Sequence, residues 1–285
     1  MICLYMINIS IVTYNTSVVE LDKCLSSLTS NKILNIYIVD NSNQEYIRSY
    51  CDNKEKVVYI PSTNVGYGAA NNIAMRKSID TNVKYHLVLN SDVYFTPNII
   101  DEIVDYMDAN EDIGQLIPNT IYPNGDIQYV CRTLPTPLDL LFRRFLPSIL
   151  YKKRDIRHCL MSFNHKSIIN VANHQGSFMF FRVDALKRIG LFDERYFMYA
   201  EDVDITRRMH KLYKTIFWPN VTIVHAHRAA SYKSFKMMLI HSVNICRYFN
   251  KWGWLFDGER KKWNEALFVE LNKLQSKDVI SSNTH

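Results

Sequence analysis

The sequence predicts an α/β fold with a mostly parallel central sheet and helices on its faces. Three observations carry that expectation. Short β-rich runs alternate with helical patterns through the first half of the chain. Strand–helix–strand order of this kind builds parallel sheets covered by helices. Each of the first four strand-like runs also stops at a cluster of polar turn residues, and the composition, 47% apolar and 22% charged, is that of an ordinary globular protein.

The elements follow in order. Residues 8–14 read as a strand, and Ser17 with Glu20 three residues on forms a capping box. Val18, Leu21, Cys24, Leu25 and Leu28 continue at helical spacing. Residues 35–40 and 57–61 are the second and third strands, 69–78 suit a helix, and 85–90 are the fourth strand. Thr96 caps the next helix and Pro97 opens it. Pro123-Asn124-Gly125-Asp126 is a turn. Residues 176–181 form an apolar run, 183–189 a short helix, 199–212 a helix with an acidic start, and 216–224 a strand. Residues 235–250 and 259–274 read as helices.

Composition narrows the function classes. The 285 residues hold 34 Lys plus Arg against 28 Asp plus Glu, a net charge of +6 spread along the chain. Nucleic-acid binders concentrate such charge in a stripe, so no nucleic-acid partner is expected. The six cysteines form no C-x-x-C pair, which favours a reduced, cytoplasmic protein. No apolar run reaches the length of a membrane span, and residues 1–12 lack the features of a signal peptide.

In parallel sheets ligands gather at the carboxyl ends of the strands. Thr13-Tyr14-Asn15, Asp40-Asn41-Ser42, Asn64-Val65-Gly66-Tyr67-Gly68 and Asn90-Ser91-Asp92 are all placed there. Asp92 is a candidate ligand for Mg²⁺ or Mn²⁺, ions that take few protein carboxylates and leave the rest to phosphate and water. Glu201, Asp202 and Asp204 crowd one helix start among Tyr196, Phe197 and Tyr199. Helix-dipole capping explains one or two of these acids; an acid among aromatics suits a general base. His225 and His227 share a strand face, and either can complete the Asp92 site.

Taken together and in this order, these segments resemble the family 2 glycosyltransferases, whose nucleotide-sugar-binding fold is called GT-A. Ile11-Val12-Thr13-Tyr14-Asn15 is similar to the opening strand motif of the family, and Val39-Asp40-Asn41-Ser42 to its second-strand motif. Asn64 to Asn72 (NVGYGAANN) resembles the loop and helix of its rhamnosyltransferase-like members. Leu89-Asn90-Ser91-Asp92-Val93 is similar to their metal-binding D-x-D element, with Asn90 where many members carry Asp. Gly176-Ser177-Phe178, Phe192 to Phe197 and Glu201-Asp202-Val203-Asp204 resemble the segments leading into the acidic catalytic motif. His225 with Ser231 resembles the histidine segment that follows it, and Arg247 to Trp254 resembles the C-terminal tails of these enzymes.

The resemblance implies a GT-A catalytic domain over residues 1–232, with a nucleotide-binding half to about 118, an acceptor-binding half from about 119, and a helical extension over 233–285. It implies an inverting, metal-dependent hexosyltransferase that uses a UDP- or dTDP-linked sugar, with rhamnose one candidate. Asp202, with Glu201 second, is the implied base; Asp92 and His225 hold the divalent cation. Thr13, Tyr14, Asn15, Asp40, Asn64, Gly66 and Asn90 are the implied donor contacts. The implied acceptor is a saccharide, lipid-linked, in bacterial surface-polysaccharide synthesis. Leu, Phe and Arg mixed over 138–157, with Lys251, Trp252, Trp254, Lys261, Lys262 and Trp263, suggest peripheral contact with the inner face of the cell membrane. Two rival readings are a sugar nucleotidyltransferase and a non-catalytic nucleotide- or carbohydrate-binding module. The first calls for a basic, Gly-rich loop where residues 13–20 have no Lys or Arg; the second has no need of the acids at 201–204.

Overall fold

Alternation along the first strand sets the architecture. In β1 (Ile7–Thr13) Ile7, Ile9 and Ile11 are buried on one face and Asn8 and Ser10 on the other. The apolar face packs against α1 (Val18–Leu25), α2 (Glu45–Cys51) and α4 (Ile99–Ala109) in one large cluster. The polar face meets α3 (Tyr67–Asp80), where Ser10 Oγ donates to Asn71 Oδ1 (2.6 Å) and Asn8 Nδ2 to Thr81 Oγ1 (3.1 Å). His86 of β4 (Tyr85–Asn90) joins this seam, 3.0 Å from Ser10 Oγ and 2.7 Å from Ser78 Oγ. Burial pushes its pKa down to about 3, so the ring is neutral. A satisfied polar network of this kind fixes how α3 seats on the sheet. The structure is a computed structural model that describes residues 6–140, 148–226 and 235–282.

The sheet order is β3-β2-β1-β4-β8-β6-β9-β5, with β7 paired to β9. The remaining strands are β2 (Ile33–Asp40), β3 (Val57–Pro61), β5 (Val93–Tyr94), β6 (Ile113–Ile121), β7 (Ile169–Asn170), β8 (Phe178–Arg182) and β9 (Lys214–His225). The expected parallel pairing holds for β3-β2-β1-β4 and for β6 with β9. β8 runs antiparallel between β4 and β6, so the whole sheet is mixed. This reversal is what completes the edge. Phe178 pairs with Leu89, so Gly176 and Ser177 arrive beside the end of β4. His225 pairs with Val93, so the end of β9 arrives there too.

Local signals behave as the residues dictate, with two departures. Ser17 caps α1, its Oγ accepting from the Glu20 N–H (3.2 Å). The Glu20 carboxylate accepts from Ser91 Oγ (2.8 Å) and so ties the cap to the end of β4. The 123–126 turn closes with Gly125 at φ 89° and a bridge between Ile121 and Ile127. α4 begins at Ile99, not at Pro97; Asn98 precedes it in left-handed conformation, and Thr96-Pro97 stay in the turn. Asn98 thus takes the cap position in place of Thr96, and its side chain makes no capping bond. The acidic helix α7 (Glu201–His210) starts two residues later than expected because Tyr199 and Ala200 are left-handed, with φ of 69° and 68°.

The remaining helices are α5 (Ser148–His158), α6 (Val183–Ile189), α8 (Phe235–Trp252) and α9 (Gly258–Ser282). α8 packs Ile245, Tyr248 and Phe249 against Tyr196 and Val203; α9 packs Leu267 and Leu271 into a cluster with Phe217 and Val171. Arg207, fully buried on α7, makes a two-pronged pair with Asp257 (2.7 and 2.6 Å) and lies over Trp252. Trp252 and Trp263, expected at a membrane face, therefore pack inward around Arg207 and α7. The exposed apolar side chains of this region include Phe235, Leu239 and Val243 on α8, with Trp254, Leu255 and Phe256 in the turn after it. Part of the 138–157 segment, His227 and Ser231 lie outside the described residues. Among the described residues no helix is long and apolar enough to cross a membrane. The described cysteines Cys24, Cys51, Cys131, Cys159 and Cys246 form no disulfides.

Candidate active site

The carboxyl ends of β1, β2 and β4 carry the first set of expected residues. Thr13 Oγ1 donates to Asp40 Oδ1 (3.1 Å). Asp40 is fully buried and also accepts from the Ser42 N–H and Oγ, the Gln44 N–H and Tyr59 Oη. Burial opposes its charge, yet these bonds outweigh burial and hold the carboxyl below its usual value. Both oxygens thus point inward. Asp40 shapes the turn that presents Ser42 and Gln44 instead of offering a bare carboxylate. Asn15, left-handed at φ 50°, receives Gln44 Nε2 on its Oδ1 (3.0 Å) and donates its N–H to Ser42 Oγ. Tyr14 and Asn64 are exposed at the rim.

Gly66 is required by a close approach within the chain itself. At φ 93° a Cβ would sit 2.2 Å from the Phe197 carbonyl oxygen. Glycine is required here because the Phe197 carbonyl of the acidic loop comes that close. The same carbonyl accepts from the Tyr67 N–H (2.9 Å). Tyr67 then ties three loops together: its Oη lies 2.8 Å from both Asn90 Oδ1 and the Gly176 carbonyl. Burial raises the Tyr67 hydroxyl most, followed by the charges of Glu201, Asp202 and Asp92.

Asp92 and His225 meet as expected, Oδ1 to Nε2 at 3.3 Å. Gln128 sets the histidine. Its Nε2 donates to the His225 carbonyl (2.6 Å), which leaves Oε1 to accept from Nδ1 (2.9 Å). A proton on Nδ1 turns the Nε2 lone pair toward Asp92, the orientation of a metal-ligating histidine with an outer-shell partner. One oxygen and one nitrogen donor fit a divalent ion whose other ligands come from phosphate and water. Among the described residues no group of three or more His, Cys, Asp or Glu side chains could hold a metal alone.

On the opposite wall, Glu201 is buried and its Oε2 has no hydrogen-bond partner. Burial first, then the charge of Asp202, raises its pKa well above the ordinary value. Asp202 is half-buried. Burial raises it too, while the Val203 N–H (2.8 Å), the Arg132 charge and the Gly176 N–H (3.2 Å) pull it back. Two adjacent carboxyls that titrate together favour one proton, held on the more buried partner. Burial raises both carboxyls, Glu201 the more strongly, while the bonds to Asp202 oppose its rise. Gly176 makes room for Asp202, since a Cβ there would lie 3.2 Å from Asp202 Cβ. The left-handed pair Tyr199-Ala200 stores strain of order 1–3 kcal/mol per residue just before these acids.

Asp204, counted with the acids in the sequence, does not join them. It is fully buried and accepts from Arg208, Trp252 Nε1 and Lys251, which makes it an anchor. Tyr67, Gln128, Arg132 and Gly176 were not singled out by sequence reasoning for these roles. Each acts on a partner far away in the chain, so no local spacing marks them. Tyr67 and Gly176 lie in segments noted in the sequence; Gln128 and Arg132 do not.

Comparison with known proteins agrees with this geometry. The model of "Glycosyl transferase family 2" matches residues 9–190. A Haloferax volcanii protein, "Low-salt glycan biosynthesis hexosyltransferase Agl10", is 28% identical over 209 residues, covering 72% of this chain and 62% of that protein. "N-acetylglucosaminyl-diphospho-decaprenol L-rhamnosyltransferase" of Mycobacterium tuberculosis is 26% identical over 224 residues, covering 72% of this chain and 70% of that protein. The chain thus spans less than two thirds of the Haloferax protein. Among solved structures, GalNAc-T7 with UDP, GalNAc and Mn²⁺ superposes with a TM-score of 0.63 at 16% identity, over 87% of this chain and 49% of that one. Staphylococcus aureus TarS 1–349 with UDP-GlcNAc gives 0.55 at 16% identity, over 84% and 66%. These likenesses establish the GT-A fold. With the family model matching most of its length, the chain belongs to glycosyl transferase family 2.

Proposed function

We propose that this chain is an inverting hexosyltransferase that takes a sugar, rhamnose being one candidate, from a UDP- or dTDP-linked donor. The single observation behind this reading is that Tyr67 ties the end of β4, where Asp92 meets His225, to Gly176, whose N–H donates to Asp202. The family and the two named relatives support the reaction class; the UDP and Mn²⁺ in the GalNAc-T7 structure support the donor and the ion.

Residues to about 118 form the donor side, with Thr13, Tyr14, Asn15, Asn64 and Asn90 lining it and Asp40 and Gly66 shaping it; 119–232 form the acceptor side. Asp92 and His225 would hold Mg²⁺ or Mn²⁺, which when bound offsets the charge that grows on the leaving diphosphate. Asp202 accepts the proton of the acceptor hydroxyl as that oxygen attacks the anomeric carbon. The bond to the diphosphate breaks, its electron pair leaves with the phosphate oxygen, and the anomeric centre inverts.

The acceptor is a saccharide carried on a lipid, as the name of the mycobacterial relative states for that protein, and the setting is surface-polysaccharide synthesis. Peripheral contact with the inner membrane face involves Phe235, Leu239, Leu255 and Phe256, the last 94% exposed, with Lys236, Lys261 and Lys262 nearby in sequence. The test is transfer from a panel of UDP-glucose, UDP-galactose, UDP-GlcNAc and dTDP-rhamnose to lipid-linked saccharides. Asp202→Asn should lower kcat by about 10²–10⁴-fold, the usual contribution of a general base, and leave UDP binding unchanged. Turnover near wild type in that variant would remove Asp202 from the mechanism.

A further inference from the structure

The acidic segment is fastened from outside itself, and the fastener is α8. Upstream of the acids, Asn244 Nδ2 donates to the Met198 carbonyl (2.8 Å), Arg247 donates to the Arg195 carbonyl, and Lys251 pairs with Asp193 (2.9 Å). Downstream, Trp252 Nε1 donates to Asp204 Oδ1 (2.8 Å) and Lys251 pairs with the same carboxylate (2.7 Å). Between these two sets of contacts lie the left-handed residues Tyr199 and Ala200, then Glu201 and Asp202.

We propose that Asn244 is a positioning residue for the reaction: through the Met198 carbonyl it holds the strained Tyr199-Ala200 turn that aims Asp202. The inference rests on the reading of Asp202 as the base. The Met198 carbonyl belongs to the peptide plane whose rotation sets φ of Tyr199. Anchoring that oxygen anchors the first of the two unfavourable torsions. Non-glycine residues persist in such conformations only where their surroundings over-determine them. Asn244 is suited to this. It is 1% exposed, and its Oδ1 accepts from Arg247 Nη1 (3.0 Å), which fixes the amide with Nδ2 toward Met198. The helix itself does not depend on that one bond. Ile245, Tyr248 and Phe249 bury its inner face, and Tyr248 Oη accepts from Arg207 (3.3 Å). Removal of the Nδ2 donor therefore releases the turn and leaves α8 docked.

Asn244→Asp is the sharpest variant. It keeps the shape and the acceptor for Arg247, loses the donor, and sets a carboxylate against a carbonyl. Amide hydrogen exchange on the full chain should accelerate at least tenfold over residues 198–204 and stay at wild-type rates in β1 and β4. The affinity for UDP with Mn²⁺ should stay within twofold. With the nucleotide sugar that wild type turns over in the donor panel, kcat should fall at least tenfold with donor KM within twofold. Asn244→Ala, which adds no charge, should give the same pattern with a smaller loss. Wild-type exchange over 198–204 overturns the proposal without any substrate. Faster exchange across β1 and β4, with UDP affinity lost in parallel, also overturns it, because Asn244 would then be a general staple of the fold. If Asp202→Asn keeps full transfer while Asn244→Asp still loosens 198–204, the base assignment fails and the anchoring of the turn stands.

Discussion

The two walls of the site are built by different physics. The donor wall is made of strand ends: Thr13, Asp40 and Asn90 each sit where a parallel strand stops, and short turns bond them to near neighbours such as Ser42 and Gln44. The acceptor wall is a strained loop held by a helix about fifty residues further on, through Asn244, Lys251 and Trp252. The first wall is set by local rules of strands and turns. The second exists only once the C-terminal helices have docked. A site assembled this way can bind nucleotide on one side while its acid–base chemistry depends on packing far from either substrate.

This contrast can be broken on purpose. The largest structural effect should come from Arg207. Its buried pair with Asp257 joins α7 to the turn before α9, and loss of one member of such a pair costs about 3–5 kcal/mol. Arg207→Met should lower the melting temperature markedly, and Arg260, 3.7 Å from Asp257, should compensate only in part. The expected signature is early loss of protection in α7 and α8 with β1, β2 and β4 lasting longer.

The next effect concerns the ion. Gln128 orients His225 from outside the donor set, and such outer-shell partners are typically worth about 10–100-fold in metal affinity. Gln128→Leu should weaken the Mn²⁺ dependence of nucleotide binding by that factor, read by calorimetry, without altering binding in the absence of ion. The smallest effect is a pH shift. Asp202 must be deprotonated to act, and its pKa is already raised by burial. The acid limb of kcat should therefore lie above the ordinary carboxylate range and fall away as pH drops. Arg132 pulls that pKa down, so Arg132→Gln should move the limb to higher pH. A limb that moves to lower pH would contradict the placement of the Arg132 charge beside Asp202.

Much of the donor wall was legible in the sequence because its signals are short-range. The Ser17 cap, the strand runs and the polar strand ends each lie within a few residues of their cause. The pairing of Asp92 with His225 was also anticipated, from residue type and resemblance. What escaped the sequence is of three kinds. Tyr67 and Gln128 act across 109 and 97 residues, a separation that leaves no pattern. At Gly66 the sequence signals a close approach or a sharp turn but not that the Phe197 carbonyl is what comes close. Asp204 follows Glu201 and Asp202 within one helix turn, and adjacency in sequence hides that successive helix positions point in different directions. Its neighbours Arg208, Lys251 and Trp252 make it part of the framework. The reversal of β8 is unreadable for a related reason: no crossover helix announces it, and its first four residues, Phe178 to Phe181, are apolar without alternation.

The central claim is that Asp92 joins a divalent ion to a nucleoside diphosphate at the edge where both walls meet. The most direct test is the melting temperature of wild type and Asp92→Asn with UDP, dTDP, GDP and CMP, each with and without Mn²⁺, since a ligand that binds the folded state raises stability by mass action. The account predicts a rise with UDP or dTDP that Mn²⁺ enlarges in wild type and does not enlarge in Asp92→Asn. No rise with any diphosphate in well-folded wild type, or an equal Mn²⁺ effect in both proteins, would contradict it.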